Sequence, residues 1–334
     1  MKKLFLHIGF NKTGSTSLQK NLAANTHVLA RQGIFYPHDP QAPYTQRWQH
    51  VPLAAAVPGR NLPWLVPKKR ATLAQAYDSL YTQLHHSNFN TLVLSSEGFG
   101  ERAMGTDKIQ WLKDQFPDFE ITVIAYIRRQ DSYFLSTYQE SVKAGRSRPF
   151  NFSDHGKVKE LYFGQRLAPW RTIFGEQNVL VRPFDPKFWP EGELFFDFLQ
   201  AIGAARDGTA LQAPENEGLD YRAVEFMRQI NQFVTEAGRD AGNLRQRVRA
   251  NKLTATFSQL LETKGKVQKM SLSTEQAEIL RRHFRNDNID ALQGSGIDPD
   301  EFFPTIASDR AAMLAPQNLE PRDLMLVISR MQLS

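Results

Sequence analysis

Short apolar runs recur through the first two thirds of the chain, each ending at a small or polar residue. The first, Leu4-Phe5-Leu6-His7-Ile8, stops at Gly9 and has the continuity of a strand buried on both faces. After a polar turn from Phe10 to Thr16, Leu18, Leu22, Ala23 and Leu29 fall at mostly helical spacing. Asn88-Phe89-Asn90 turns into a second run, Thr91–Ser95, and further runs cover residues 121–127 and 179–181. Helices are expected at about residues 69–86, after Asp131 as a cap, and near Phe163–Phe174. Strands alternating with helices predict an α/β fold with a doubly wound parallel sheet.

From about Asn216 the strand pattern stops. Leu219, Ala223, Phe226, Ile230 and Phe233 step by three and four, an amphipathic helix, and further helices are expected over residues 243–263 and 273–292. The reading is an α/β core over residues 1–215 and a helical C-terminal cap over residues 216–334, packed on the same core. Between the first helix and the second strand, residues 37–67 carry seven of the 18 prolines and little periodicity. Such a long excursion is expected to carry function.

Composition narrows the classes. With 41% apolar and 23% charged residues the 334-residue chain can bury a sizeable core. The absence of cysteine excludes a disulfide scaffold, a thiolate metal site and a cysteine nucleophile. A net charge of +6 favours anionic partners without identifying one. No run approaches the roughly 18–20 apolar residues of a membrane span, and the N-terminal run is interrupted at His7 with no cleavage signal after it. No nucleic-acid motif is present. The expectation is a cytoplasmic protein with no integral membrane segment.

Gly9 and Gly14 bracket a turn between a strand and a helix, a P-loop-like arrangement suited to phosphate. A nucleotide-triphosphatase loop carries Lys and then Ser or Thr directly after the second glycine. This chain has Ser15 and Thr16 there, and its lysine earlier, at Lys12. The run Lys12-Thr13-Gly14-Ser15-Thr16-Ser17-Leu18-Gln19 resembles the 5′-phosphosulfate loop of sulfotransferases that use 3′-phosphoadenosine 5′-phosphosulfate (PAPS). The strand over residues 121–127 leads into Arg128, with Ser136 eight residues on, and is similar to that family's 3′-phosphate element. The segments Ser95-Ser96-Glu97-Gly98-Phe99 and Tyr126-Ile127-Arg128-Arg129-Gln130-Asp131 resemble bacterial members.

The resemblance implies PAPS as donor and 3′-phosphoadenosine 5′-phosphate (PAP) as product, with no metal. It implies cofactor binding by Lys12, Thr13, Gly14, Ser15, Thr16, Ser17, Arg128 and Ser136, and catalysis by Lys12. The acceptor hydroxyl or amine would belong to a saccharide, glycolipid or small metabolite, chosen by residues 37–67 and the C-terminal region. Glu97, at the end of a buried strand, is a candidate general base. Family members use either a glutamate or a histidine in this role, so His50 competes with it as base or acceptor-site residue. His7 is expected to pack behind the loop. The basic cluster Lys264, Lys266 and Lys269 lacks the family's Arg-Lys-Gly pattern and reads as a solvated charge run. The alternatives are a P-loop-type nucleotide kinase or triphosphatase and a non-catalytic anion-binding module.

Overall fold

The computed structural model describes residues 1–213, 220–237 and 269–305. Its centre is a five-stranded, wholly parallel sheet in the order β2-β3-β1-β4-β5: β1 (Lys2–His7), β2 (Ile34–Phe35), β3 (Thr91–Ser95), β4 (Phe119–Ile127) and β5 (Val179–Pro183). Parallel strands need crossovers on the sheet faces, which is why the apolar runs read as continuous and not alternating. The fold is the α/β, doubly wound parallel sheet expected from the strand–helix alternation.

Strand β1 lies centrally, with His7 in register with Ser95 of β3 and with Ile124 of β4. The chain winds outward to β2 on one side and to β4 and β5 on the other. The carboxyl end of β1 is therefore the topological switch point, where α/β sheets open a crevice. On one face Val93, Ile124 and Tyr126 pack with Leu18 and Leu22 of α1 (Ser15–Ala24) and Phe195, Phe198 and Leu199 of α9 (Leu194–Ala201). The Tyr126 hydroxyl donates to the buried Asp197 carboxylate, which Arg182 also grips through two nitrogens. This polar knot ties β4, β5 and α9 together. Helix α8 (Phe163–Phe174) packs on β4, β5 and α6 (Thr106–Asp114).

Several expected elements differ in detail. The two-residue β2 is too short to give a periodic signal. Residues 69–86 form α4 (Pro67–Ala71), a 3-10 turn and α5 (Ala76–His85), divided at Thr72. The helix expected after Asp131, α7 (Gln130–Lys143), begins one residue earlier, and Asp131 accepts from the Ser132 N–H within it. Residues 37–67 contain α3 (Val51–Ala56), of which Val51 to Ala55 are buried. That helix is enclosed, so it shows no amphipathic period.

The chain divides into two compact units. The first comprises Met1–Arg129, Tyr162–Glu215 and Arg285–Phe303; the second comprises Gln130–Leu161, Asn216–Phe284 and Pro304–Ser334. In the second, α7 packs on α10 (Tyr221–Ala237) and on the helix Thr274–His283. Asn231 donates to the carbonyls of Val142 and Arg146 at the end of α7, and Arg228 pairs with Glu225 in the interior. The expected 273–292 helix is two, Thr274–His283 and Arg285–Leu292. The expected helix at 243–263, the boundary near 215, Lys264 and Lys266 lie outside the described residues. Among the described residues no helix is long and apolar enough to cross a membrane.

Candidate functional site

The candidate site is built at the carboxyl ends of β1, β3, β4 and β5 in the first unit. Beyond β1 the backbone takes left-handed conformations at Gly9 (φ 40°), Lys12 (φ 67°) and Gly14 (φ 75°). A non-glycine residue in that region is uncommon and is held by its surroundings. Two bonds hold this one: the Thr13 hydroxyl donates to the Phe10 carbonyl at 2.5 Å, and Arg128 Nη1 donates to the Lys12 carbonyl at 3.1 Å. Thr13 thus turns its hydroxyl inward and leaves its main chain to the turn.

Gly14 is the N-cap of α1, with no side-chain cap and no acidic residue in the first turn. The first intrahelical bond runs from the Leu18 N–H to the Gly14 carbonyl. The preceding amides form the positive end of the helix dipole. The Ser15 hydroxyl is buried and has no hydrogen-bond partner among the described residues. Thr16 is exposed, and Lys12 and Ser17 are half-buried.

Along β3 and beyond it, the residues from Leu92 to Gly100 are buried with one exception, the half-buried Glu97. A Cβ placed on Gly9 would lie 2.8 Å from Ser15 Oγ and 3.4 Å from Glu97 Cγ. The carboxylate-bearing side chain and the orphaned hydroxyl thus flank the same glycine. A Cβ on Gly100 would fall 2.4 Å from the carbonyls of Ile8 and Gly9. The two turns approach as closely as backbone allows, which requires glycine there. Two arginines brace this arrangement. Arg60 donates to the Gly98 carbonyl and pairs with Glu101. Arg166 of α8 donates to the Gly100 carbonyl at 2.8 Å and lies 3.7 Å over the Phe10 ring.

Arg128 leaves β4 beside the turn and lies 5.6 Å over the ring of Phe184, the first residue beyond β5. Phe184 also lies against Gly14 and packs on Trp189. The structure thus gathers Lys12, Thr13, Gly14, Ser15, Thr16, Ser17, Glu97 and Arg128 in one unit. Ser136 lies half-buried on α7 in the other.

His50 takes another place. It is fully buried; its Nδ1 accepts from the Ser95 N–H at 3.0 Å, and its Nε2–H donates to the Pro37 carbonyl at 2.8 Å. Burial pushes its pKa down to about 4. With both ring nitrogens committed to main chain, His50 has no lone pair for an acceptor's proton, and it holds residues 37–50 onto β3. His7 is packed behind the turn, as its pattern suggested. Its Nδ1 lies 2.7 Å from the Ser95 hydroxyl, which also accepts from Gln19, and burial lowers its pKa to about 3.

Sequence reasoning missed Arg60, Arg166 and Phe184. Phe184 carried one signal, its place directly beyond a parallel strand. The two arginines carried none, because their partners, two carbonyls and the Glu101 carboxylate, are distant along the chain. Among the described residues no group of three or more His, Asp or Glu side chains is placed to hold a metal ion.

No protein-family model matches the chain. An uncharacterized protein from Archaeoglobus fulgidus is 32% identical over 120 residues, which are 35% of this chain and 32% of that one. The chain thus matches about a third of that relative's length. A solved sulfotransferase from Alicyclobacillus acidocaldarius superposes over 90% of this chain and 99% of its own, with a TM-score of 0.48 and 12% identity. A likeness of that size carries no argument about activity.

Proposed function

We propose that the chain is a sulfotransferase that moves a sulfuryl group from PAPS to a hydroxyl or amine. One observation carries the reading: Lys12, the uncapped amino end of α1 and the unpartnered Ser15 hydroxyl share one turn, with Glu97 beside it. These donors fit a phosphosulfate. A lysine ahead of the second glycine, with serine and threonine behind it, argues against the order of a triphosphatase loop.

Bound PAPS supplies a sulfuryl group whose S–O bond to the 5′-phosphate breaks during transfer. The chain's task is positioning and charge stabilisation. Lys12 offers an ammonium toward the bridging oxygen, while Ser15, the amides at the start of α1, Thr16 and Ser17 orient the anion. Arg128, braced on the Lys12 carbonyl, has the guanidinium fork suited to a phosphate dianion. Glu97 takes the proton from the acceptor as its oxygen or nitrogen attacks sulfur. The acceptor class stays that of the sequence reading: a saccharide, a glycolipid or a small metabolite.

The test is transfer of labelled sulfuryl from PAPS to a panel of hydroxyl and amine acceptors, with and without EDTA. Transfer that survives EDTA and yields PAP in equal amount is the expected result. Turnover of ATP with a strict magnesium requirement would replace this reading by a kinase.

A further inference from the structure

Residues 40–77 form an acid-free stretch of the chain. They contain no Asp or Glu and five basic residues, Arg47, Arg60, Lys68, Lys69 and Arg70. Within them Trp64 is 47% exposed and Val66 43%, two of only six large apolar side chains that stand out among the described residues. Between them Leu65 is buried, as is Leu62 before them, so every third residue of the segment turns inward and the two between stand out. Pro63 and Pro67 are exposed on either side.

This projection is held in shape. The Leu65 N–H donates to the Leu62 carbonyl. Gln46 clamps it twice, accepting from the Val66 N–H and donating to the Trp64 carbonyl. Arg70 donates to the carbonyls of Leu62 and Leu65, and Lys69 to those of Pro40 and Ala42. Exposure of an indole and an isopropyl group on a braced loop costs solvation that a mobile loop could relieve by folding inward. The exposed Lys68, bonded only to the neutral Gln41 amide oxygen, supplies positive charge beside the apolar tip.

We propose that this loop is an interfacial anchor that docks the protein on a bilayer surface rich in anionic lipid. Trp64 and Val66 would enter the headgroup–acyl boundary, where an indole is both apolar and able to donate, and Lys68 would meet the headgroup phosphates. A linear polyanion is the less suitable partner. It offers nothing in which to bury Trp64 and Val66, and three of the segment's five cations, Arg60, Lys69 and Arg70, are already bonded to carbonyls, Arg60 being paired with Glu101 as well. The inference is independent of the proposed transfer reaction. Arg60 and Leu62 of the same segment lie on the Gly98 turn, so an anchored loop would hold the turn carrying Glu97 near the bilayer.

The experiment is co-sedimentation of the full chain with vesicles of phosphatidylcholine alone or enriched in phosphatidylglycerol, without donor or acceptor. The expected result is binding to the phosphatidylglycerol vesicles that weakens with added salt. Trp64→Ser with Val66→Ser should weaken it at least about tenfold, and Lys68→Glu, a single surface change, should weaken it several-fold. Near-ultraviolet circular dichroism confirms that each variant keeps its fold. Failure of the wild type to sediment, or binding unaffected by both variants, overturns the proposal. So does equal retention on dextran sulfate that ignores the Trp64 and Val66 changes, since that would make the segment a polyanion site.

Discussion

Lys12 combines a left-handed backbone, a carbonyl bonded to Arg128 and a half-buried position. In the proposed transfer its ammonium would meet the leaving oxygen as charge accumulates there, an interaction stronger in the transition state than in the ground state. Lys12→Ala should therefore lower kcat about 10²–10³-fold while weakening PAP less, as steady-state kinetics and calorimetry together would show. Glu97→Gln keeps the shape of the side chain and removes the proposed base. It should lower kcat by roughly 10²–10⁴ with PAP affinity and thermal midpoint nearly unchanged; full turnover would make the carboxylate a brace. The gathering of Lys12, Gly14 and Ser15 in one turn was legible because a strand–turn–helix junction is local. The closeness of Glu97 to Gly9 was not, since it depends on the register of β1 and β3. His50 misled for the same reason: Pro37 and Ser95, which occupy its two nitrogens, meet it only in three dimensions.

At the scale of elements, the continuous apolar runs and their separating turns were enough to place β1, β3, β4 and β5. The ends shifted where a strand continues past a polar residue, as β4 does through Glu120 to Phe119. The enclosed α3 was illegible because a helix buried on all sides has no polar face to mark it. The packing of α9 depends on Asp197, which joins Tyr126 and Arg182 in the interior. Asp197→Ala would strand a hydroxyl and leave a guanidinium without its counter-ion. Chemical denaturation should show a loss of about 3 kcal/mol. A loss below about 1 kcal/mol would mean that water replaces the carboxylate.

The whole molecule carries two fully buried imidazoles, His7 and His50, whose pKa values lie below 6.5, at about 3 and about 4. Unfolding returns both to the ordinary value, so below pH 6.5 the unfolded chain binds protons that the folded chain refuses. Their contribution is complete above pH 6.5 and declines as pH falls toward 4. The thermal midpoint should drop by several degrees over that window, and His50→Gln should remove about one proton from the slope. An unchanged slope would show that His50 is already protonated in the folded protein. The basic balance of +6 acts at the same scale, favouring the anionic ligands and surfaces that both proposals invoke.

In the proposed function the turn beyond β1 and Arg128 together recognise a 3′-phosphorylated adenine nucleotide. Isothermal titration of the wild type and of Arg128→Ala with PAP, adenosine 5′-phosphosulfate and ATP tests it directly. PAP should bind the wild type most tightly, and Arg128→Ala should weaken PAP about ten- to hundredfold with much less effect on adenosine 5′-phosphosulfate. Tighter binding of ATP than of PAP, or equal loss of PAP and adenosine 5′-phosphosulfate in the variant, would contradict it.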